Sequence, residues 1–413
     1  MHMKPDITRL LACLDNRDQE TRLSRLQGLN KQDWENVQAA ASRYSVEPVL
    51  YHSLKPFFPD LDIPERVRQR LRQIYYRSLA RNLRLYEELS ALLGLLGGER
   101  IPVILLKGAH LAESVYQNPG LRPMNDLDLL VKRSDLSRIH KVLIKNGYES
   151  REESPGKCLE HVAPYFKQGA MKIDVHFNIT RPPLSERFHV QELWDRAGTQ
   201  SMGKAQALSL CPEDLLLHLC AHTCVHHVFD NGLIPYLDAR RVLEYFQNDL
   251  DWEELWARAE KWGLDRAVWV MLMITDKLLG LPDPDKAFAR IKPDPEMTDS
   301  LDMAMNLIQD RGQGGSVSPF VARLFNRQGR RFRLKMIFRL LFPAKEIMLR
   351  NEQSQGNRAG LKKYFIYLKR LQSLGRIHGR ALWLGLRRDP DTVRAIESQN
   401  RKNNLRDWLV RED

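Results

Sequence analysis

The segment Val103 to Val131, VILLKGAHLAESVYQNPGLRPMNDLDLLV, constrains the fold of this chain more than any other. The apolar run Val103 to Leu106 is too short for a helix and stops at Lys107-Gly108, so it reads as a buried strand. Ala109 to Tyr116 then has helical spacing, with Leu111 and Val115 on one side, and a second apolar run opens with Asp126 and Asp128. Side chains two apart on a strand leave the same face, so the two carboxylates converge on one point above the sheet. Two hard oxygen donors at one point suit Mg²⁺. Gly108 permits close backbone approach, and the free N–H groups at the start of the following helix attract phosphate. Lys107 and Arg122 each bring a positive charge, Arg122 with a planar fork suited to phosphate oxygens.

A third carboxylate lies in Lys172 to Phe177, KIDVHF, which alternates cleanly. Ile173, Val175 and Phe177 face one way and Lys172, Asp174 and His176 the other. If this strand lies beside the Asp126/Asp128 strand, Asp174 completes a triad able to hold two metal ions, an arrangement that serves in-line displacement at phosphorus.

These residues resemble a known family. LLKG at Leu105 to Gly108, Arg122 ahead of DLDLLV from Asp126, and IDVH from Ile173 are similar to the nucleotidyltransferase superfamily with the polymerase-beta-like palm, in its uncharacterised bacterial branch. The resemblance implies an α+β fold, a palm with a mixed sheet set in a largely helical chain, and Mg²⁺-dependent transfer of NMP from an NTP with release of pyrophosphate. It puts Lys107, Gly108 and Arg122 on the nucleotide, Asp126 and Asp128 as paired metal ligands, and Asp174 as the third, positioning the catalytic metal and helping to draw the acceptor's proton. One position departs from the superfamily's Gly-Ser loop: Ala109 follows Gly108, so a hydroxyl that would touch phosphate is missing. That departure motivates a second expectation, a non-catalytic nucleotide- or polyanion-binding protein acting in regulation or assembly. Transfer of the γ-phosphate is a third. The acceptor stays open among sugar phosphate, peptide, protein and RNA.

At 413 residues the chain is too long for one compact core. Four regions are expected: a helical region over 1–98, the nucleotidyltransferase core over 99–202, a helical domain over 203–300, and a basic helical region over 301–413. In the first, Trp34, Val37, Ala41 and Tyr44 share a face, and Leu71, Ile74, Leu79, Leu83, Tyr86 and Leu89 mark a long amphipathic helix from Pro64 toward Gly97-Gly98. In the third, His218, His222 and His226 recur at four-residue steps with His227 adjacent, a spacing that puts imidazoles on one helical face. Ordinary interior packing is the leading expectation for them, ahead of a phosphate- or acceptor-facing lining and of a metal site, so they stand outside the expected site.

The charge of +12 is unevenly placed. Arg323 to Arg388 holds eighteen Lys and Arg against two Glu, an excess of sixteen that leaves the remainder mildly acidic. Alternation of these cations with Phe332, Phe338, Tyr364 and Tyr367 reads first as a packed helical tail with a solvated basic face, and it also suits contact with a polyanion or a membrane surface. The five cysteines lack a paired metal spacing, the N-terminus lacks a signal-peptide pattern, and no apolar run is long enough to span a bilayer. A reducing cytoplasm is the expected setting.

Overall fold

The computed structural model describes residues 3–15, 19–150, 162–182, 184–312, 317–325, 372, 376, 379, 381–384 and 387–410. The chain divides into two compact units, residues 1–311 with 408–413, and residues 312–407. The site lies in the first, which takes in all of the regions 1–98, 99–202 and 203–300.

Four helices open that unit: α1 (Pro5–Leu14), α2 (Gln19–Gln27), α3 (Lys31–Tyr44) and α4 (Glu47–Leu54). Asn30 caps α3 through a reciprocal bond with Asp33, and the helix buries Trp34, Val37, Ala41 and Tyr44. The 34-residue helix α5 (Glu65–Gly98) follows. Its inward stripe departs from the expected one in the middle, where Ser78 and Asn82 are buried and Leu83 is half exposed. The reason is tertiary. Asn82 Nδ2 donates to the carbonyls of Pro119 and Arg122 at 2.6 and 2.8 Å, so this stretch of α5 meets a polar loop instead of the sheet.

The sheet has seven strands: β1 (Ile104–Leu105), β2 (Asp126–Leu130), β3 (Glu149–Ser150), β4 (Tyr165–Phe166), β5 (Lys172–His176), β6 (Gly198–Met202) and β7 (Ala205–Ser209). Their order is β3-β4-β5-β2-β1-β7-β6. The β2/β5 and β1/β7 pairs are parallel and the others antiparallel, which makes the sheet mixed. It runs past residue 202, because β7 pairs with β1 at the centre. Leu127, Leu129, Val131, Ile173, Val175 and Phe177 face one side, against Leu85, Leu89, Leu92, Leu93 and Leu96 of α5 and Ile139 and Leu143 of α7 (Leu136–Lys145). This apolar layer fixes the register, since a one-residue slip would turn every core side chain to the other face. The fold is α+β, as the family resemblance implies.

After α8 (Gln191–Arg196) come α9 (Pro212–Cys220), α10 (Ile234–Tyr245), α11 (Trp252–Trp262) and α12 (Asp265–Leu279). Pro212 begins α9 and Gly263, with φ +65°, ends α11, both as their residue types favour. No helix among the described residues is long and apolar enough to cross a membrane. Cys13, Cys211, Cys220 and Cys224 are free thiols. Most of the basic stretch 323–388 lies outside the described residues.

Candidate functional site

Parallel pairing of β2 with β5 sets Asp126 beside Lys172, Asp128 beside Asp174 and Leu130 beside His176. Asp126, Asp128, Asp174 and His176, with Lys107, Gly108 and Arg122, line one cavity of about 490 Å³. The seven side chains and backbone positions come from three separate stretches of sequence, and the crossing of β5 onto β2 is what gathers them.

Asp128 is the most buried of the carboxylates and accepts from Lys107 Nζ at 2.9 Å and from His176 Nε2 at 2.8 Å. Burial alone would raise its carboxyl, but the Lys107 ammonium and the His176 ring outweigh that and hold it well below the usual carboxylate range. Lys172 Nζ lies 3.0 Å from Asp126 and 2.7 Å from Asp174, so one ammonium bridges the other two carboxylates. These contacts push Lys172 above its ordinary value against the opposing effect of burial.

An all-oxygen donor set on one face of a sheet suits a hard divalent cation in its chemistry. In this conformation, however, no group of three or more His, Cys, Asp or Glu among the described residues is arranged to hold an ion. Ammonium groups stand against the three carboxylates instead. The Lys172 stem is flexible and a third exposed, so the ammonium can swing aside and leave the donors where β2 and β5 hold them.

Lys107, Gly108 and Arg122, the residues expected on the nucleotide, are tightly built. Lys107 has φ +46°, a left-handed conformation that costs a non-glycine residue on the order of 1 kcal/mol or more. It opens the short helix α6 (Lys107–His110), which runs on into a π-helical turn over Leu111–Val115, so helical structure starts two residues earlier than the spacing from Ala109 suggests. A Cβ at Gly108 would collide with Arg122 Nη1 and lie 2.8 Å from Met124 Sδ. Glycine is therefore required here by close approach. Arg122 does not present a free fork to the cavity. It grips Asp238 of α10, Nε to Oδ1 at 2.9 Å and Nη2 to Oδ2 at 2.8 Å, while the Tyr116 hydroxyl donates to the same carboxylate at 2.8 Å. The sequence does not announce Asp238, since nothing near it in the chain marks its partner.

A second wall of the cavity comes from His222, Thr223, His226 and His227. The first three belong to a π-helical turn, Ala221–His226, that continues α9, and His227 follows directly, its N–H donating to the His222 carbonyl. Residues five apart on an α-helix are roughly 140° apart and do not meet. The wider π-turn brings them together, and the His222 and His227 Nε2 atoms lie 3.1 Å from each other. Burial first, and the Lys107 charge second, push both rings below the ordinary histidine range, so they are neutral at pH 7. His218, on the same face with its ring 6.3 Å from that of His222, is enclosed as interior packing predicts, and neither of its ring nitrogens has a hydrogen-bond partner among the described residues. Val228 and Phe229 follow with φ of +47° and +63°, the first an outlier for a β-branched residue. A π-turn and two left-handed residues cost on the order of several kcal/mol together, and such strain concentrates at working sites.

Among curated proteins none matches this chain. A crystal structure of an antigenic nucleotidyltransferase-like protein from Paracoccidioides brasiliensis is similar at 15% identity, over 50% of this chain and 97% of that one. Its TM-score of 0.30 is too low to carry an argument. The sequence profile of a family described as uncharacterised nucleotidyltransferase matches residues 30–280, from the front helices through the sheet and the histidine-bearing turn to the end of α12. That span covers well over half of the sequence and the whole lining of the cavity, and the chain belongs to the uncharacterised nucleotidyltransferase family.

Proposed function

We propose that this protein transfers a nucleotidyl group from an NTP to an acceptor, with pyrophosphate leaving, and that it does so with Mg²⁺. The observation that carries the reading is the register of β2 on β5, which aligns Asp128 with Asp174 at the edge of a cavity large enough for a nucleotide. Asp126, Asp128 and Asp174 are the residues that would hold the ion. When bound, it would stabilise charge developing on the phosphoryl group.

The remaining roles fall to this chain's own side chains. Lys107, 15% exposed at its side chain and fixed against Asp128, offers a positive charge to the phosphates. Gly108 keeps the backbone clear so that they can come close. Arg122, committed to Asp238, acts by holding α10 and the loop before β2 together, and adds its charge to the wall.

Incubation with α-labelled NTPs, Mg²⁺ and cell extract tests the proposal. Label should reach an acceptor with wild-type protein and should fail to do so with Asp126→Ala or Asp128→Ala. Transfer that survives both substitutions, or transfer of γ-label in place of α-label, rejects it.

A second reading has a specific observation in its favour. Each carboxylate already has a cationic partner, Lys172 on Asp126 and Asp174 and Lys107 on Asp128, and Ala109 stands where a loop hydroxyl would be. A protein that binds nucleotide without turning it over would have that appearance. Retained NTP binding with no labelled product would favour it.

A further inference from the structure

We propose that the paired imidazoles of His222 and His227 form the acceptor subsite of this cavity, and that the acceptor is an alcohol whose proton one of these rings takes. The inference rests on the nucleotidyl-transfer reading and deepens it by naming the acceptor's chemical class.

Three observations carry it. The first is the partnering of the carboxylates. Lys172 engages Asp126 and Asp174, and Lys107 and His176 engage Asp128, so the carboxylate wall is occupied in holding cations. The second is the partnering of the imidazoles. With Nε2 facing Nε2 at 3.1 Å, one neutral ring must donate and the other accept. The donating ring then carries its lone pair on Nδ1, and neither Nδ1 has a protein partner among the described residues. The third is the backbone. The pairing exists only because the helix widens into a π-turn, and Val228 and Phe229 hold left-handed conformations directly after it. That costly local geometry buries Val228 and Phe229, bonds Phe229 N to the Thr223 carbonyl, and with them places these rings on the cavity wall.

The chemistry follows from the tautomers. Neutral imidazoles offer a lone pair, which an O–H donor satisfies and a phosphate anion does not. As the acceptor oxygen bonds to the α-phosphorus, the bond from that phosphorus to the bridging oxygen of pyrophosphate breaks, and its electron pair leaves with pyrophosphate. The acceptor's proton passes to the Nδ1 of the donating ring. The cation so formed strengthens its Nε2–H bond to the second imidazole, which makes the pair a better base than a lone buried histidine.

The test uses the full chain with α-labelled NTP and Mg²⁺ and two kinds of probe, glycerol and methyl α-glucoside as alcohols and inorganic phosphate as the alternative. Wild-type protein should label an alcohol probe, and phosphorus NMR should show a phosphodiester. His222→Asn and His227→Asn should each lower turnover about 100-fold, the usual size of a general-base contribution, with NTP affinity unchanged. Imidazole in the buffer should restore part of the rate to His222→Ala and His227→Ala, which a merely structural loss would not allow. Labelling of phosphate alone with a diphosphate bridge, full alcohol transfer by the asparagine variants, or lost activity without imidazole rescue would each overturn the inference while leaving nucleotidyl transfer intact. Label that reaches an acceptor in cell extract but none of the alcohol probes overturns this inference alone, and no label in extract or on any probe removes the transfer reading with it.

Discussion

The Lys172 ammonium lies 2.7 Å from a carboxylate oxygen of Asp174, two residues further along the same strand and on the same face. The same ammonium reaches Asp126 across the β2/β5 pair at 3.0 Å. A single charge thus occupies the place between two carboxylates in which a divalent ion would have to sit.

Lys172→Gln should therefore tighten binding of Mn²⁺, used as a spectroscopic substitute for Mg²⁺. The variant removes a competitor and leaves the donors fixed by strand pairing. Titration followed by electron paramagnetic resonance should show a dissociation constant lower by about tenfold, equivalent to ~1.4 kcal/mol. An affinity equal to that of the wild type would mean that the ammonium does not compete for the carboxylates.

Gly108→Ala should damage the nucleotide side of the cavity without altering any charge. The new methyl meets Arg122, and Arg122 cannot retreat because Asp238 holds it through two bonds. Overpacking of this kind costs about 1–3 kcal/mol. Thermal unfolding should show the loss, and NTP binding measured by calorimetry should weaken. Full stability and affinity together would show that the loop relaxes freely.

Removal of the guanidinium with Arg122→Met leaves Asp238, almost wholly buried, with no counter-ion. The expected destabilisation is about 3–5 kcal/mol, read from denaturant unfolding. In the double variant Arg122→Met/Asp238→Leu the orphaned charge is gone, and most of that loss should be recovered. A double variant as unstable as the single one would show that packing, not charge, dominates at this contact.

Acidification should destabilise the protein before its carboxylates titrate. His218, His222 and His227 all have folded values below the ordinary 6.5, chiefly through burial. The charges facing His222 are Lys107 and Asp128 together with the neighbouring rings His218 and His227, and those facing His227 are Lys107, Asp230, Arg181 and Arg311. Below 6.5 the unfolded chain binds protons that the folded chain refuses, so stability is full above that pH and falls beneath it. Asp128, whose folded value is depressed, stays ionised across this window and contributes nothing to the slope. The melting temperature should drop by about 5 °C between pH 7.5 and 5.5. His218→Asn should flatten the dependence. A melting temperature that does not change over this range would mean that these rings accept protons in the folded state.

The strand, glycine, helix and DLD strand of residues 103–131 and the alternation of 172–177 are legible in the chain, because burial on one face of a strand writes a period of two into the sequence. That periodicity also places Asp126, Asp128, Asp174 and His176 on polar faces. It cannot say which strands are neighbours, because parallel pairing joins segments far apart in the chain, and only the fold sets Asp128 beside Asp174. The same limit hides Asn82, which looks like an exposed position on an amphipathic helix until the Pro119 and Arg122 carbonyls come up against it. Four-residue steps group His218 with His222 and His226. The structure keeps those rings in file, at 6.3 and 6.1 Å between centroids, and adds His227 to His222, since hydrogen bonding shifted by one residue over a single turn leaves no trace in side-chain spacing. Local periodicity reports which face of an element is buried, whereas contacts between distant elements decide which polar groups meet, and in this protein the site is made of such meetings.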